Sequence, residues 1–391
     1  MSDTKELGVI VYGATGYTGR LVCEYLNTQY GVGGDIKWAM AGRSQAKLEE
    51  VRDEMGISAD VTLIVADASD PASVDSMVSR TSVVLTTVGP YQLYGSDLVR
   101  ACAQAGTDYV DLCGEPAWMN EMIAAHGDAA KASGARIVFS CGFDSIPFDL
   151  GVLFLQQTAQ QQLGAPVSRI KGRVRAMEGT FSGGTLASFK ATMAAAAEKP
   201  ELIGVLMNPF ALTEGFAGPE QPSGLAPIHE DDLGSWSAPF VMATINTKNI
   251  HRSNLLLGHQ YGEGFVYDEM MLTGPGEAGE AIANAVAEDK SMATNPIKPG
   301  EGPSKEEREN GFYDVLFVGI ADSGEVVQTS VKGDKDPGYG STSKMIAESA
   351  VCLLLNPELA SGGISTPAAA LGAPLIERLQ DNAGLTFQIE S

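Results

Sequence analysis

Apolar residues in the first 150 positions gather in short runs, at 9–12, 36–41, 61–66, 83–88, 109–112 and 136–140. The runs are too short for helices and are bounded mostly by Gly, Pro or Asp, which is the signature of buried strands. Between them the spacing becomes helical. Leu21, Val22, Tyr25 and Leu26 share one face, as do Leu48, Val51 and Met55, then Leu98, Val99 and Cys102, then Met119, Met122 and Ile123. Ser44 and Asp70, the latter followed by Pro71, stand where helix caps belong, and Gly56 and Gly106 stand where helices stop. Six strands separated by helices predict an α/β, doubly wound parallel sheet.

After Gly151 the pattern changes. Residues 169–177, 240–245, 265–272, 312–320 and 326–332 read as strands of a larger mixed or antiparallel sheet. The stretch 200–237 is rich in Pro and Gly and weakly periodic, and 296–308 reads as an exposed loop. Phe210, Leu212, Phe216 and Leu225 either line a substrate channel in that stretch or anchor an ordinary surface loop. Helical spacing returns at 341–355. The expected organisation is a nucleotide-binding domain over 1–151, a substrate and oligomerisation α/β domain over 152–335, and a helical segment over 336–391 that returns to the first domain.

Composition narrows the partners. The 391 residues carry a formal charge of −23, so a phosphate backbone is repelled and nucleic acid is excluded as a partner. The five cysteines are scattered without a CxxC and the four histidines show no ligand spacing, so neither a disulfide framework nor a metal is expected. The N-terminus Met1-Ser2-Asp3-Thr4 is polar, unlike a signal peptide, and no apolar run spans a bilayer. These features point to a cytoplasmic protein, with peripheral contact with a lipid surface left open.

Gly13-Ala14-Thr15-Gly16-Tyr17-Thr18-Gly19 lies in the first strand-to-helix turn. In that setting the glycines mark a Rossmann dinucleotide site, because free amides at the helix start and the helix dipole meet a pyrophosphate. The second strand ends in Arg43-Ser44, where an NAD-selective site usually carries an acid. Arg43 offers a guanidinium and Ser44 a hydroxyl to a 2′-phosphate, which predicts NADP(H). Asp67 follows the third strand and either reaches the adenine or caps a turn. Val88-Gly89-Pro90 follows the fourth, where the nicotinamide end is expected. Tyr91 is the candidate proton donor, alongside Asp144 and Cys141. Asp144 has an alternative as a helix cap, and Cys141 one as a small buried residue. No tyrosine is followed four residues later by lysine, and there is no HExxH or GxSxG.

The strings GATGYTG (13–19), AGR (41–43), TTVGPY (86–91), YVDLCGE (109–115) and CGFDSIPFDLG (141–151) together resemble saccharopine-dehydrogenase-like oxidoreductases. SGGT (182–185), GPSKEERENGFYDVLFVG (302–319), STPAAALGAPLIERL (365–379) and GLTF (384–387) are similar to the branch called trans-acting enoyl reductases. The resemblance implies reduction of an activated C=C bond in a hydrophobic acyl, lipid or polyketide-like substrate. It also implies that Asp111, Glu115, Cys141 and Asp144 face a cleft between the domains. By analogy, a homodimer would form through the second domain's sheet. Two other readings stay open. One is C–N chemistry joining an amino acid and an oxo acid, with Arg173 and Arg175 on one strand face for substrate carboxylates. The other is a non-catalytic NADP-binding or lipid-associated protein.

Overall fold

The computed structural model describes residues 5–180, 182–298 and 300–390. The polar start Met1–Thr4 lies outside the described residues. Two seven-stranded sheets organise the chain.

The first sheet runs β1 (Leu7–Tyr12), β2 (Trp38–Gly42), β3 (Thr62–Val65), β4 (Thr81–Thr86), β5 (Asp108–Val110) and β6 (Arg136–Val138). All pairs are parallel, with β4 beside β1 and the chain reversing direction across the sheet there. The strands are buried on both faces because the connecting helices cover both. On β1, Val9 and Val11 enter one apolar cluster while Ile10 and Tyr12 enter the other, as a two-residue side-chain period requires. The crossovers are α1 (Tyr17–Tyr30), α2 (Gln45–Glu54), α3 (Pro71–Ser79), the short α4 (Tyr91–Tyr94) with α5 (Ser96–Ala105), and α6 (Pro116–Ser133). Ser44 accepts from Lys47 N and Asp70 from Ala72 N, so both expected caps form.

Helix α7 (Ile146–Leu163) leads into the second sheet. There β7 (Arg169–Glu178) is followed by α8 (Gly183–Glu198), α9 (Glu201–Met207), β8 (Ile228–Glu230), β9 (Ser235–Pro239) and α10 (Ala243–Leu256). Then come β10 (Val266–Gly274), α11 (Gly276–Glu288), α12 (Ser291–Thr294), α13 (Lys305–Asn310), β11 (Phe312–Ile320) and β12 (Val326–Gly333). The sheet is mixed: β7 and β10 pair in parallel, while β11 pairs antiparallel with both β7 and β12.

Three sequence expectations change. Residues 240–245 are not a strand. The strand β9 ends at Pro239 and α10 begins at Ala243; within the run only Phe240 and Ile245 are buried, a spacing that fits no alternating strand face. The stretch 200–237 holds α9, β8 and β9, and 296–308 holds the start of α13. The C-terminal segment is not wholly helical. After α14 (Thr342–Leu355), strand β13 (Gly363–Ser365) extends the first sheet beside β6. Helices α15 (Pro367–Ala370) and α16 (Gly372–Asn382) follow, and β14 (Leu385–Glu390) then closes the second sheet beside β12.

Among the described residues, no helix is long and apolar enough to cross a membrane.

Candidate active site

The glycine loop lies at the C-terminal edge of the first sheet, between β1 and α1. Gly13 has φ +91°, a left-handed conformation that Gly adopts without strain. A Cβ at Gly19 would meet Gly13 O at 2.1 Å, so only glycine lets α1 close on the loop. The amides of Gly13 and Ala14 are tied to Ala41 O, at 3.0 and 3.1 Å. The N-terminus of α1 has neither a side-chain cap nor an acid in its first turn. Its positive end is therefore left for an anion, and the residues present fit a pyrophosphate.

Arg43 is exposed beside this loop and makes no ion pair among the described residues, so its guanidinium is available to a 2′-phosphate. Ser44 uses its hydroxyl oxygen to cap α2 and keeps its proton free to donate. Asp67 is engaged locally. Its Oδ1 accepts from Ser69 N and Ser69 Oγ, at 3.0 and 2.8 Å, which is the turn-capping role. Val88 and Gly89 line the crevice beyond β4, and Gly89 is exposed there.

Two elements that the motifs did not reveal close on this edge. Arg308, in α13, donates to Tyr17 Oη at 3.0 Å and lies over its ring. Tyr339 meets the other side of that ring edge-on at 5.2 Å, and its hydroxyl reaches Thr185 Oγ1 at 2.8 Å. The second sheet's loops thus roof the start of α1. Spacing could not reveal this, because Tyr17 is hundreds of positions from both Arg308 and Tyr339.

The residues proposed for chemistry separate by environment. Tyr91 is 5% exposed, accepts from Leu112 N at 3.0 Å and donates to Thr86 O at 3.3 Å. Burial pushes its ionisation well above the ordinary range. Its proton is held inside the wall, so Tyr91 positions the loop. Asp111 is fully buried. Its oxygens accept from Cys113 N, Ser140 N and Tyr109 Oη, tying the ends of β5 and β6 together. Glu115 accepts from the amides of Tyr91 and Gln92, each at 2.9 Å, and so caps α4. Cys141 is buried, with its thiol toward Val138 O at 3.5 Å. Of the four residues expected to face the cleft, these three support its wall instead.

Asp144 is different. It is half-buried, Ser145 rather than Asp144 precedes α7, and no described residue hydrogen-bonds its carboxyl. Burial raises its pKa to about 7, so it holds a proton near neutrality. Cys113, Tyr339 and Glu269 of β10 all feel its charge. Glu269 accepts from Asn246 Nδ2 at 2.7 Å and Tyr267 Oη at 2.9 Å, and burial raises it to about 8.

The β7 arginines are all used internally. Arg173 is 1% exposed and pairs with Glu230 and Asp268, while Arg175 pairs with Asp314 and Glu390. Neither offers a free guanidinium to a substrate carboxylate. Phe210 and Leu212 are buried, with Phe210 against His251 and Phe216, so they anchor their segment.

Residues 9–138 match the family described as saccharopine dehydrogenase NADP binding domain. A Mycobacterium tuberculosis protein provisionally named a trans-acting enoyl reductase is 38% identical over 98% of this chain and 97% of its own. The trans-acting enoyl reductase of Mycobacterium ulcerans is 35% identical over 97% of this chain and 96% of its own. The apo saccharopine dehydrogenase (L-Glu forming) of Saccharomyces cerevisiae shares the fold, with TM-score 0.55 and 12% identity over 98% of this chain and 100% of that one. The chain is an NADP(H)-dependent oxidoreductase and belongs to the trans-acting enoyl reductase family of saccharopine-dehydrogenase-like proteins.

Proposed function

We propose that the enzyme reduces the activated C=C bond of a hydrophobic enoyl substrate, with Asp144 as the acid. Bound NADPH supplies the hydride. The start of α1 would hold its pyrophosphate and Arg43 its 2′-phosphate, and the exposed Gly89 would leave room beyond β4 for its nicotinamide end. Hydride adds to the substrate's β-carbon and the C=C electron pair moves toward the carbonyl. The Asp144 proton then goes to the α-carbon, and the carboxylate regains a proton from water. Tyr91 keeps the crevice loop in place without touching substrate, and Glu115 braces that loop through the Tyr91 and Gln92 amides.

One observation carries this choice. The Asp144 carboxyl lies beside Gly114 beyond β5 with no hydrogen-bond partner among the described residues, while the β7 arginines that C–N chemistry would need are consumed by internal ion pairs.

The test is NADPH oxidation against α,β-unsaturated thioesters and ketones, beside a panel of oxo acids paired with amino acids. Turnover of the first panel, lost in Asp144→Asn, is expected. Turnover of the second panel alone would overturn the reading.

A further inference from the structure

We propose that the trough between α6, α8 and α9 binds the aliphatic chain of the substrate. The proposal rests on the enoyl reading, and it deepens that reading by naming where the chain lies.

Helix α8 connects the trough to the nicotinamide crevice. A Cβ at Gly89 would lie 3.7 Å from Ser188 Oγ, and Gln92 Nε2 donates to Thr192 Oγ1 at 3.3 Å. Positions 188, 192 and 195 fall on one stripe of the helix. At 1.5 Å per residue that stripe runs about 10 Å from the Gly89 crevice into the trough. Leu202 and Leu206 of α9, one turn apart, form the opposite wall, and Ala117 and Trp118 of α6 form the floor. The enclosed part of the trough is small, about 20 Å³, and the rest of it is open to solvent.

The lining selects an uncharged ligand. Glu115 is its only ionisable side chain, and both carboxylate oxygens are taken by the Tyr91 and Gln92 amides. Residues 182–213 carry only Lys190, Glu198, Lys199 and Glu201, so this hairpin is neutral in a chain of charge −23. Beyond the trough, Met193, Ile203 and Met207 are each more than half exposed, extending the apolar path outward. Nothing along it would hold a phosphate or carboxylate head group, whereas an alkyl chain gains from every methylene it buries.

Trp118 gives a readout independent of turnover, because the other two tryptophans, Trp38 and Trp236, lie elsewhere, on β2 and β9. The full chain would be titrated with methyl 9,10-dibromostearate, an uncharged heavy-atom quencher. Saturable quenching is expected, lost in Trp118→Phe and weakened in Ala195→Phe, which fills the trough. In parallel, Ala195→Phe should raise KM for a trans-2-hexadecenoyl thioester about tenfold, equivalent to roughly two lost methylene contacts. It should leave a trans-2-butenoyl thioester unchanged. No quenching, or equal KM changes for both thioesters, would overturn the proposal. So would quenching by brominated phosphatidylcholine vesicles but not by the free chain, which would assign the face to a lipid surface. Quenching that follows these variants without turnover of any enoyl thioester would keep the chain site and remove the enoyl reading.

Discussion

Arg308 holds Tyr17 from above, with its guanidinium carbon 5.8 Å from the ring centroid and its Nη1 donating to the hydroxyl at 3.0 Å. The same nitrogen donates to Pro303 O at 2.9 Å. A cation from the segment before β11 is thereby fixed over the helix end proposed to receive the pyrophosphate, where it adds to the positive end of the helix dipole.

Arg308→Ala should weaken NADPH binding about tenfold, the scale of one charge-assisted contact. Its effect on thermal stability should be small, because the residue is only half-buried. Nucleotide titration by fluorescence, read beside a melting curve, checks both. Unchanged affinity would mean that Arg308 only braces the segment before β11.

On the proposed reading Arg43 sets the cofactor preference. Arg43→Ala should lower the preference of kcat/KM for NADPH over NADH by roughly tenfold to hundredfold, from the loss of a charged hydrogen bond. NADH kinetics should hardly move. A parallel loss with both cofactors would show a folding role instead.

Asp144 predicts a pH limb. As the acid it must be protonated, so kcat/KM should fall as pH rises through about 7. The groups that feel its charge are Cys113, Tyr339 and Glu269. Asp144→Asn should abolish that limb and cost about 10²–10⁴-fold in kcat. An intact limb in the variant would place the acid elsewhere.

Burial raises Asp111 and Asp149 to about 7 and Glu269 to about 8. Unfolded carboxyls release their protons near pH 4. The folded state therefore binds more protons between those values, and this contribution is full in acid and lost as pH rises through 7–8. Melting temperature should fall from pH 5 to 8.5. Asp149→Asn should flatten the fall, because its amide can donate to Ser253 Oγ while its oxygen still accepts from Ala368 N. An unchanged slope would remove Asp149 from the linkage.

Glu348, fully buried on α14, accepts from Tyr25 and Tyr30 at 2.6 Å each and pairs with Arg378 of α16 at 2.7 Å. Glu348→Ala strands that guanidinium and should destabilise the chain by about 3 kcal/mol, measured by urea unfolding. Glu348→Gln should cost less, since the two tyrosines keep an acceptor.

The strand and helix alternation of the first 150 residues was legible because each element carries its own period and its own stops. The glycine loop was legible because its demands are local: Gly13 needs a positive φ, and Gly19 must clear the carbonyl of Gly13. The second sheet's long strands, such as β11, were legible too. The helical nature of residues 243–256 was not. Asn246, Asn249, His251 and Arg252 are buried polar residues, and the burial of Asn246, Asn249 and Arg252 depends on Glu269 of β10, Ser145 ahead of α7 and Leu212 beyond α9, partners that no local pattern announces. Tyr91, Asp111, Glu115 and Cys141 carried the right chemistry at the ends of the right strands. Only the packing decided that their polar atoms turn inward to backbone groups, while Asp144 alone of that set keeps a carboxyl without a partner among the described residues. Sequence determined what was local: periods, caps, the nucleotide loop and the arginine beside it. Tertiary structure decided what depends on distant neighbours: which carboxyl holds a proton, which arginines are already paired, and that Arg308 and Tyr339 meet at Tyr17. The reason is that desolvation and charge pairing are set by atoms brought together from far along the chain.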